Sequence, residues 1–545
     1  MNQELKMSEV QFNPQQLEAI NSDADAILCL AGAGVGKTAT LTGRISRLVD
    51  NGVDPETILA LTFTNAAAFE MKQRYKKLQG AKLGKKLPEF RTFHGFCYNV
   101  IIKTPAVREK MGYEKVPQVC DESDFVKLKK ELIEKLGLTI SEVELESEST
   151  ISKEHDRQIQ LFRKALRKEM RERNLITFDM MCYNVSELFV QDDESIQWYK
   201  HHYKYIMLDE SQDTDPRQFK FVGSFGSNVS YFIVGDILQS IYQFRGCTNE
   251  FIKTLAEAPT WKLIKMYKNY RSTKQICDFA NKFSHYAKDV YRIEMEGQRD
   301  GDEVEVIRGA CAGYGDVVDE KHLQLLAEKI KADPVDSAVL CRTNKEVTAC
   351  VQYLKTKGIE CSRSSKEKET SYLLNCALDN NYMKDWLSTF LEGPKYADYI
   401  RLATLKKDKA DLRWFLSLYG EEPKIKKRVN TVIKIRKIAS DESAGVDAKL
   451  EDLKQVLKVK ESKEFTLDAN MTSRQLIESL RDQVLEDEET SVYCGTIHSA
   501  KGLEYDHVYV MGVNDKYFQL GNEEMNNLYY VAITRPREHL TVFRR

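Results

Sequence analysis

The segment AGAGVGKT, Ala31 to Thr38, places glycines, a lysine and a hydroxyl side by side. Those residue types in that order hold phosphate. Gly32, Gly34 and Gly36 can adopt backbone angles that turn successive N–H groups toward one anion, with Ala31, Ala33 and Val35 as the intervening backbone. Lys37 brings a charge for the outer phosphates, and the Thr38 hydroxyl can ligate magnesium. The fit is slightly off pattern, because Ala31 stands where such a loop usually has its first glycine. Far downstream, YIMLDESQD ends an apolar run in two acids. Asp209 can hold magnesium through water, and Glu210 can orient and deprotonate an attacking water. One acid after a strand is common; two behind a phosphate loop point to nucleotide hydrolysis.

Other groups add to that chemistry. Gln239, in IVGDILQSIYQFRG, is placed to sense a γ-phosphate, and Arg271, in YKNYRST, is a candidate arginine finger whose planar guanidinium stabilises charge on a transferring phosphoryl group. Arg535, in LYYVAITR, offers a second such charge, while Gly502 and Glu504, in TIHSAKGLEY, could approach a ribose. Gln16 lies near enough in sequence to the loop to read an adenine edge, although a solvated helix-face glutamine is the plainer reading. Tyr242, Phe244 and Arg245 alternate aromatic and cation, as suits stacking on single-stranded bases, or as a core-facing stripe would. Phe63, followed by Asn65 at a strand end, could stack on a base or simply pack, and His94, in TFHGF, reads in isolation as a core histidine.

The elements that must position these residues alternate. Ala26 to Leu30 reads as a buried strand running into the loop, and Asn13 with Pro14 starts a helix before it. The run ILALT carries Phe63 to a strand end, where α/β sheets bind ligands. After Arg271 the alternation begins again, with strands at Asp302 to Ile307 and Ser337 to Cys341 but no second phosphate loop. Two Lys/Glu-rich helical stretches, from about Val107 to Asn174 and from about Ser365 to Thr490, interrupt the pattern. A chain of 545 residues is too long for one core. With 81 basic and 83 acidic residues no global field draws it to nucleic acid, so such binding must use local patches or stacking. The 12 cysteines lack ligand spacing, which argues against zinc, iron–sulfur or a disulfide framework. Without a signal-peptide core or a membrane-length apolar run, the expectation is a cytoplasmic protein with no membrane partner.

Taken together and in order, FNPQQ, AGAGVGKT, LTFTNAAAFEMK, TFHGF, LDESQDTD, IVGDILQSIYQFRG, YKNYRST, AVLCRTN, TIHSAKGLEY and LYYVAITR resemble superfamily 1A DNA helicases of the UvrD/Rep/PcrA type. The resemblance implies an α/β protein of two RecA-like P-loop motor domains, parallel sheets flanked by helices, each with a mainly helical insertion. It implies a first motor domain from residues 1–100 and 178–275 with its insertion at 101–177, and a second from 276–365 and 489–545 with a short insertion at 366–488. It further implies ATP and Mg2+ in the cleft, with Gln16 reading adenine, Tyr270 stacking near it, Thr38 and Asp209 at the metal, Glu210 as base, Gln239 as sensor, and Arg271 and Arg535 as fingers. Phe63, Asn65, His94, Tyr242, Phe244, Arg245, Asn344 and His498 match single-strand contacts. Such enzymes move 3′-to-5′ on single-stranded DNA and unwind duplex at single-strand/duplex junctions; a loading partner is left open.

The chain departs from that pattern at Ala39, Ala66, Ser211, Ile237, Leu238 and Phe244, none of them a phosphate-chemistry group. Three rival readings stand: a translocase that strips proteins from single-stranded DNA without productive unwinding, a P-loop switch or small-molecule kinase, and a 5′-to-3′ superfamily 1B motor or RNA helicase. The SIYQFRG run speaks against the last two.

Overall fold

The computed structural model describes residues 11–120, 122–138, 153–243, 247–284, 290–309, 318–333, 336–362, 373–374, 376–378, 423–441, 443–457, 471–488, 492–513 and 522–544. It contains two six-stranded sheets, and every pairing in both is parallel. The sequence explains why. Ile27 to Leu30 and Ile58 to Leu61 are buried on both strand faces, the continuous apolar pattern of strands covered by helices above and below.

The first sheet runs Glu89–Thr92, Ile58–Thr62, Tyr205–Leu208, Ser230–Gly235, Ala26–Ala31, Lys262–Met266. Its register aligns the strand ends: Thr62 opposes Thr92, Leu61 opposes Leu208, Leu30 opposes Gly235 and Ala31 opposes Met266. Everything that follows those residues therefore emerges along one edge. That edge carries the phosphate loop, Phe63, His94, the Asp209–Glu210 pair and the segment leading to Gln239.

The second sheet runs Glu305–Arg308, Pro536–Arg544, Tyr505–Val513, Ser337–Cys341, Val492–Thr496, Cys361–Ser362. The lobes meet through an apolar cluster to which both contribute. Ala33, Leu238 and Ile241 come from the first lobe, Ile497, Ala500 and the run Leu528 to Ile533 from the second.

Where they are described, the charged stretches are mainly helical with cores of their own. In the first, strands Gln118–Val119 and Leu175–Ile176 pair beside helices Glu122–Leu136 and Lys153–Glu172, around Leu128, Leu132, Ile159, Phe162 and Met170. The core of the first lobe runs past residue 100, because Val107, Met111 and Tyr113 share the cluster of Leu28 and Leu30. In the second, helices Pro423–Ala439, Val446–Leu457 and Ser473–Glu488 pack around Val432, Ile435, Leu453 and Leu480. Phe69, from helix Asn65–Gln79 of the first lobe, is buried in that same cluster. No described helix is long and apolar enough to cross a membrane.

Helix Phe93–Lys103, which begins at the site edge, is anchored by Phe96, fully buried with the rings of Phe189, Tyr199, Tyr203, Phe221 and Phe225 at 5.5–6.3 Å. Phe96→Ala is expected to cost about 3–5 kcal/mol, read as a fall in the first thermal midpoint. Trp198→Ala, at a side chain left 60% exposed, is expected to stay within about 0.5 kcal/mol of the unaltered protein.

Candidate functional site

The phosphate loop is shaped by what surrounds it. Gly34 and Gly36 take φ of 67° and 83°, the left-handed region glycine enters at low cost. A side chain at Gly34 would meet Arg271 Cβ at 2.7 Å, and one at Gly36 would meet Gln16 Nε2 at 2.7 Å. Three loop carbonyls are drawn outward onto protein donors: Ala33 O accepts from Asn269 Nδ2 at 2.8 Å, Gly34 O from the Tyr270 amide at 3.0 Å, and Val35 O from Gln16 Nε2 at 3.0 Å. In a trans peptide the N–H points opposite to the carbonyl, so the amides of Gly34, Val35 and Gly36 turn the other way. Gln16 is itself fixed by a capping box with Asn13, whose Nδ2 donates to the Tyr270 hydroxyl at 2.9 Å. Arg44 ties that short helix to the loop's own helix, donating to the carbonyls of Ala19 at 3.0 Å and Ser22 at 2.8 Å. Gln16 and Tyr270 thus flank the loop, Tyr270 with half its surface exposed.

At the next strand end Thr38 Oγ1 donates to Asp209 Oδ2 at 2.8 Å. Glu210 follows in the left-handed region, its amide bonded to Asp209 Oδ1 at 3.0 Å, and it accepts from the Gln212 side chain. Burial, then the charge of Glu210, pushes the Asp209 carboxyl up to about 7. Burial also acts to raise Glu210, but Lys37, Lys501, the Gln212 hydrogen bond and Arg535 outweigh it and hold the group below the ordinary carboxylate value. The environments thus push the two acids apart, which is how adjacent carboxyls acquire different proton-transfer roles.

The second lobe completes the cleft. Arg535 is only 1% exposed, held by Val531 O at 2.8 Å and Leu503 O at 3.4 Å, and it donates across the interface to Gln239 Oε1 at 3.4 Å. Burial and the neighbouring Arg271 bring its guanidinium down to about 9. Gln239 donates in turn to Asp236 at 2.6 Å. Arg271 lies with its Cβ over Gly34 while its guanidinium donates to Glu504 at 2.7 Å and to Thr534 O at 3.1 Å. Burial would raise Glu504, and Arg271 with Arg537 holds it below its usual value. Gly502 takes φ of 83° with open space where a side chain would point.

On the same face Phe63 and Tyr242 stack on each other, ring centroids 5.5 Å apart and planes 18° apart, with His498 at 6.3 Å from Tyr242. His94 makes an edge contact with Phe178 at 5.4 Å. Asn65 and Asn344 each open a helix, capped by Thr64 and Thr343, at the ends of strands in different lobes. Phe244 and Arg245 lie outside the described residues. Ile237 and Leu238, two of the positions where the sequence departs from the pattern it resembles, are buried, Ile237 in the first core and Leu238 between the lobes. No group of three or more metal-ligating side chains forms a cluster among the described residues.

Sequence reasoning missed Asn269, Asp213, Asp236 and Lys501. Asn269 is buried and binds Ala33 O and the amides of Arg271 and Ser272, each at 2.8 Å, so it joins the loop to Arg271. Lys501 Nζ donates to both Asp213 carboxylate oxygens at 2.6 Å. Both stand inside quoted blocks, but only their partners' positions, hundreds of residues away, give them a role.

Asn269→Ala is expected to raise KM for ATP about tenfold through loss of loop order, measured by steady-state turnover. Asp209 has a folded pKa raised above its unfolded value, so its stabilising contribution is present at low pH and lost as pH rises through about 7. In metal-free protein, thermal stability should therefore fall between about pH 4 and 7, and less steeply in Asp209→Asn; equal slopes would contradict this.

Residues 12–153 and 139–260 match the UvrD/REP helicase N-terminal domain family, and residues 264–369 and 381–544 match the UvrD-like helicase C-terminal domain family. YjcD of Bacillus subtilis is 26% identical over 609 aligned positions, covering 97% of this chain and 78% of the relative. ATP-dependent DNA helicase PcrA of Staphylococcus epidermidis is 27% identical over 629, covering 97% and 83%. PcrA of Staphylococcus aureus is 27% identical over 621, covering 97% and 83%. With one match on each lobe, reaching together from residue 12 to residue 544, the chain belongs to the UvrD/REP-like helicase family.

Proposed function

We propose that this chain is a motor in which ATP bound between the lobes drives 3′-to-5′ movement along single-stranded DNA and unwinding of the duplex ahead. Its family makes it an ATP-dependent DNA helicase. The observation that carries the cleft mechanism is the meeting of Arg535 with Gln239 across the interface, beside the Asp209–Glu210 pair. The working units are residues 1–100 and 178–275, extended by the segment of Val107, Met111 and Tyr113 that shares their core, and residues 276–365 and 489–545; the insertions are the rest of 101–177 and 366–488.

In this reading the loop amides and Lys37 hold the β- and γ-phosphates, and Arg271 and Arg535 reach the γ-phosphate from the other side. Gln16 and Tyr270 bound the adenine, and Gly502 and Glu504 lie toward the ribose. A hard divalent ion fits the Thr38 hydroxyl and the buried Asp209 carboxyl, oxygen donors already 2.8 Å apart. When bound, Mg2+ supplies charge neutralisation at the phosphate oxygens. Glu210, kept ionised by Lys37 and Lys501, takes the proton of the attacking water, and Gln239 reports whether the γ-phosphate is present.

Loss of that phosphate removes what holds Arg535 of the second lobe to the loop, and the lobes part. Bases stacked on Phe63, Tyr242 and His498, with Asn65, Asn344, His94, Phe244 and Arg245 along the strand, convert closing and opening into steps. Stacking worth about 1–3 kcal/mol per base tolerates any sequence.

Lys37→Ala and Glu210→Gln should each lower DNA-stimulated ATP turnover by roughly 10²–10⁴-fold. Duplex with a 3′ single-stranded tail should be unwound and 5′-tailed duplex should not. Normal turnover in either variant would defeat the assignment of the site. Removal of a bound protein from single-stranded DNA without strand separation would favour the stripping translocase.

A further inference from the structure

One short stretch connects the two ends of the cleft. Thr496 pairs with Cys341 where their strands end, whereas Tyr505 pairs with Pro536 and His507 with Ser337 where theirs begin. Residues 497–504 therefore travel the height of the second sheet, from the edge of Asn344 and His498 to the edge of Arg535. At one end His498 faces Tyr242; at the other, Leu503 O accepts from Arg535 and Glu504 pairs with Arg271.

Midway stands Lys501, whose side chain crosses into the first lobe. Its ammonium donates to both Asp213 oxygens at 2.6 Å and to the Gln239 carbonyl at 2.7 Å, and lies 4.9 Å from the centre of the Tyr242 ring. The lysine and aspartate side chains are 9% and 3% exposed, so neither charge can be released cheaply to water. From Gln239 the bonded groups continue to the hydrolytic acid. Its side chain donates to Asp236, the Asp236 amide donates to Gln212, and Gln212 donates to Glu210. On the other side Tyr242 is the ring against which Phe63 stacks.

We propose that Lys501 is the positioning residue that couples occupancy of Tyr242 by a base to the rate of ATP hydrolysis; this rests on the cleft being a DNA-stimulated motor. A base that replaces Phe63 against Tyr242 fixes the ring that the ammonium faces. The ammonium then holds Asp213 and the Gln239 carbonyl, and through them the bonded groups around Glu210, in the hydrolytic arrangement. The same side chain is assigned the coupling of the two binding equilibria as well, and that part is reciprocal: nucleotide changes the affinity for the strand as the strand changes the affinity for nucleotide.

The test compares the unaltered protein with Lys501→Met, Lys501→Arg and the double variant Lys501→Met/Asp213→Asn. The double variant removes the carboxylate that the single one leaves buried and unpaired, so a folding defect in Lys501→Met does not end the experiment. Turnover is measured with and without saturating oligothymidylate, alongside the oligothymidylate Kd with and without a non-hydrolysable ATP analogue. The ratio of stimulated to unstimulated turnover is expected to fall at least about tenfold in the double variant, with the analogue's effect on Kd lost and Lys501→Arg recovering part of the ratio. An unchanged ratio in the double variant overturns the proposal. So does a fall matched by an equal loss of nucleotide-free oligothymidylate binding, since that marks a plain DNA contact. If turnover in the unaltered protein ignores oligothymidylate, the motor reading falls and takes this role with it; intact stimulation in both proteins removes only the role of Lys501.

Discussion

A charge withdrawn from water is tolerated only where partners replace the lost hydration. Arg535 and Lys501 are both buried, and both find part of their replacement on the opposite lobe, at Gln239 and at Asp213. That dependence fixes how the lobes meet. The apolar cluster of Ala33, Leu238, Ile241 and the helix Glu523–Ile533 supplies non-directional attraction, which by itself would permit many arrangements. The charges admit few, because each must sit on particular oxygens. The same oxygens belong to segments to which the proposed function gives the nucleotide chemistry, and in that proposal the contact holding the lobes together is also the one for which a γ-phosphate competes.

Parallel register does the rest of the positioning. Because the strands of Ala31, Thr62, Leu208 and Gly235 are parallel, with Leu208 opposite Ile233 and Leu61 and with Gly235 opposite Leu30, loops from distant parts of the chain share an edge without any long-range device. Asp209 stands beside Thr38 for that reason, although 170 residues separate them in sequence. The second sheet offers both of its edges, since residues 497–504 double back along it, and this puts His498 and Arg535 within reach of one short segment.

Much of this was legible in the sequence where local chemistry is self-contained. AGAGVGKT, the paired acids and the buried strand runs each state their geometry within a few residues, and the two α/β lobes follow from the alternation. What could not be read was interaction across the fold. Nothing in KNYRST says that Asn269 ties the phosphate loop to Arg271, and nothing in HSAKGLE says that Lys501 leaves its own lobe. Phe69 looks like an ordinary core residue of helix Asn65–Gln79, yet it packs into the core of the second insertion. Val107 and Met111 lie within the first charged stretch but join the motor core, since a few apolar residues at a stretch boundary follow whichever core is nearer.

The central claim is that a γ-phosphate is gripped from both lobes at once. The most direct measurement is a structure with a non-hydrolysable ATP analogue, Mg2+ and an oligothymidylate bound. The account predicts Arg535 and Arg271 guanidinium nitrogens and the Gln239 side chain within about 2.7–3.2 Å of γ-phosphate oxygens opposite Lys37. A γ-phosphate held by first-lobe residues alone, with Arg535 still on Val531 and Leu503 and no nearer the nucleotide, would contradict it.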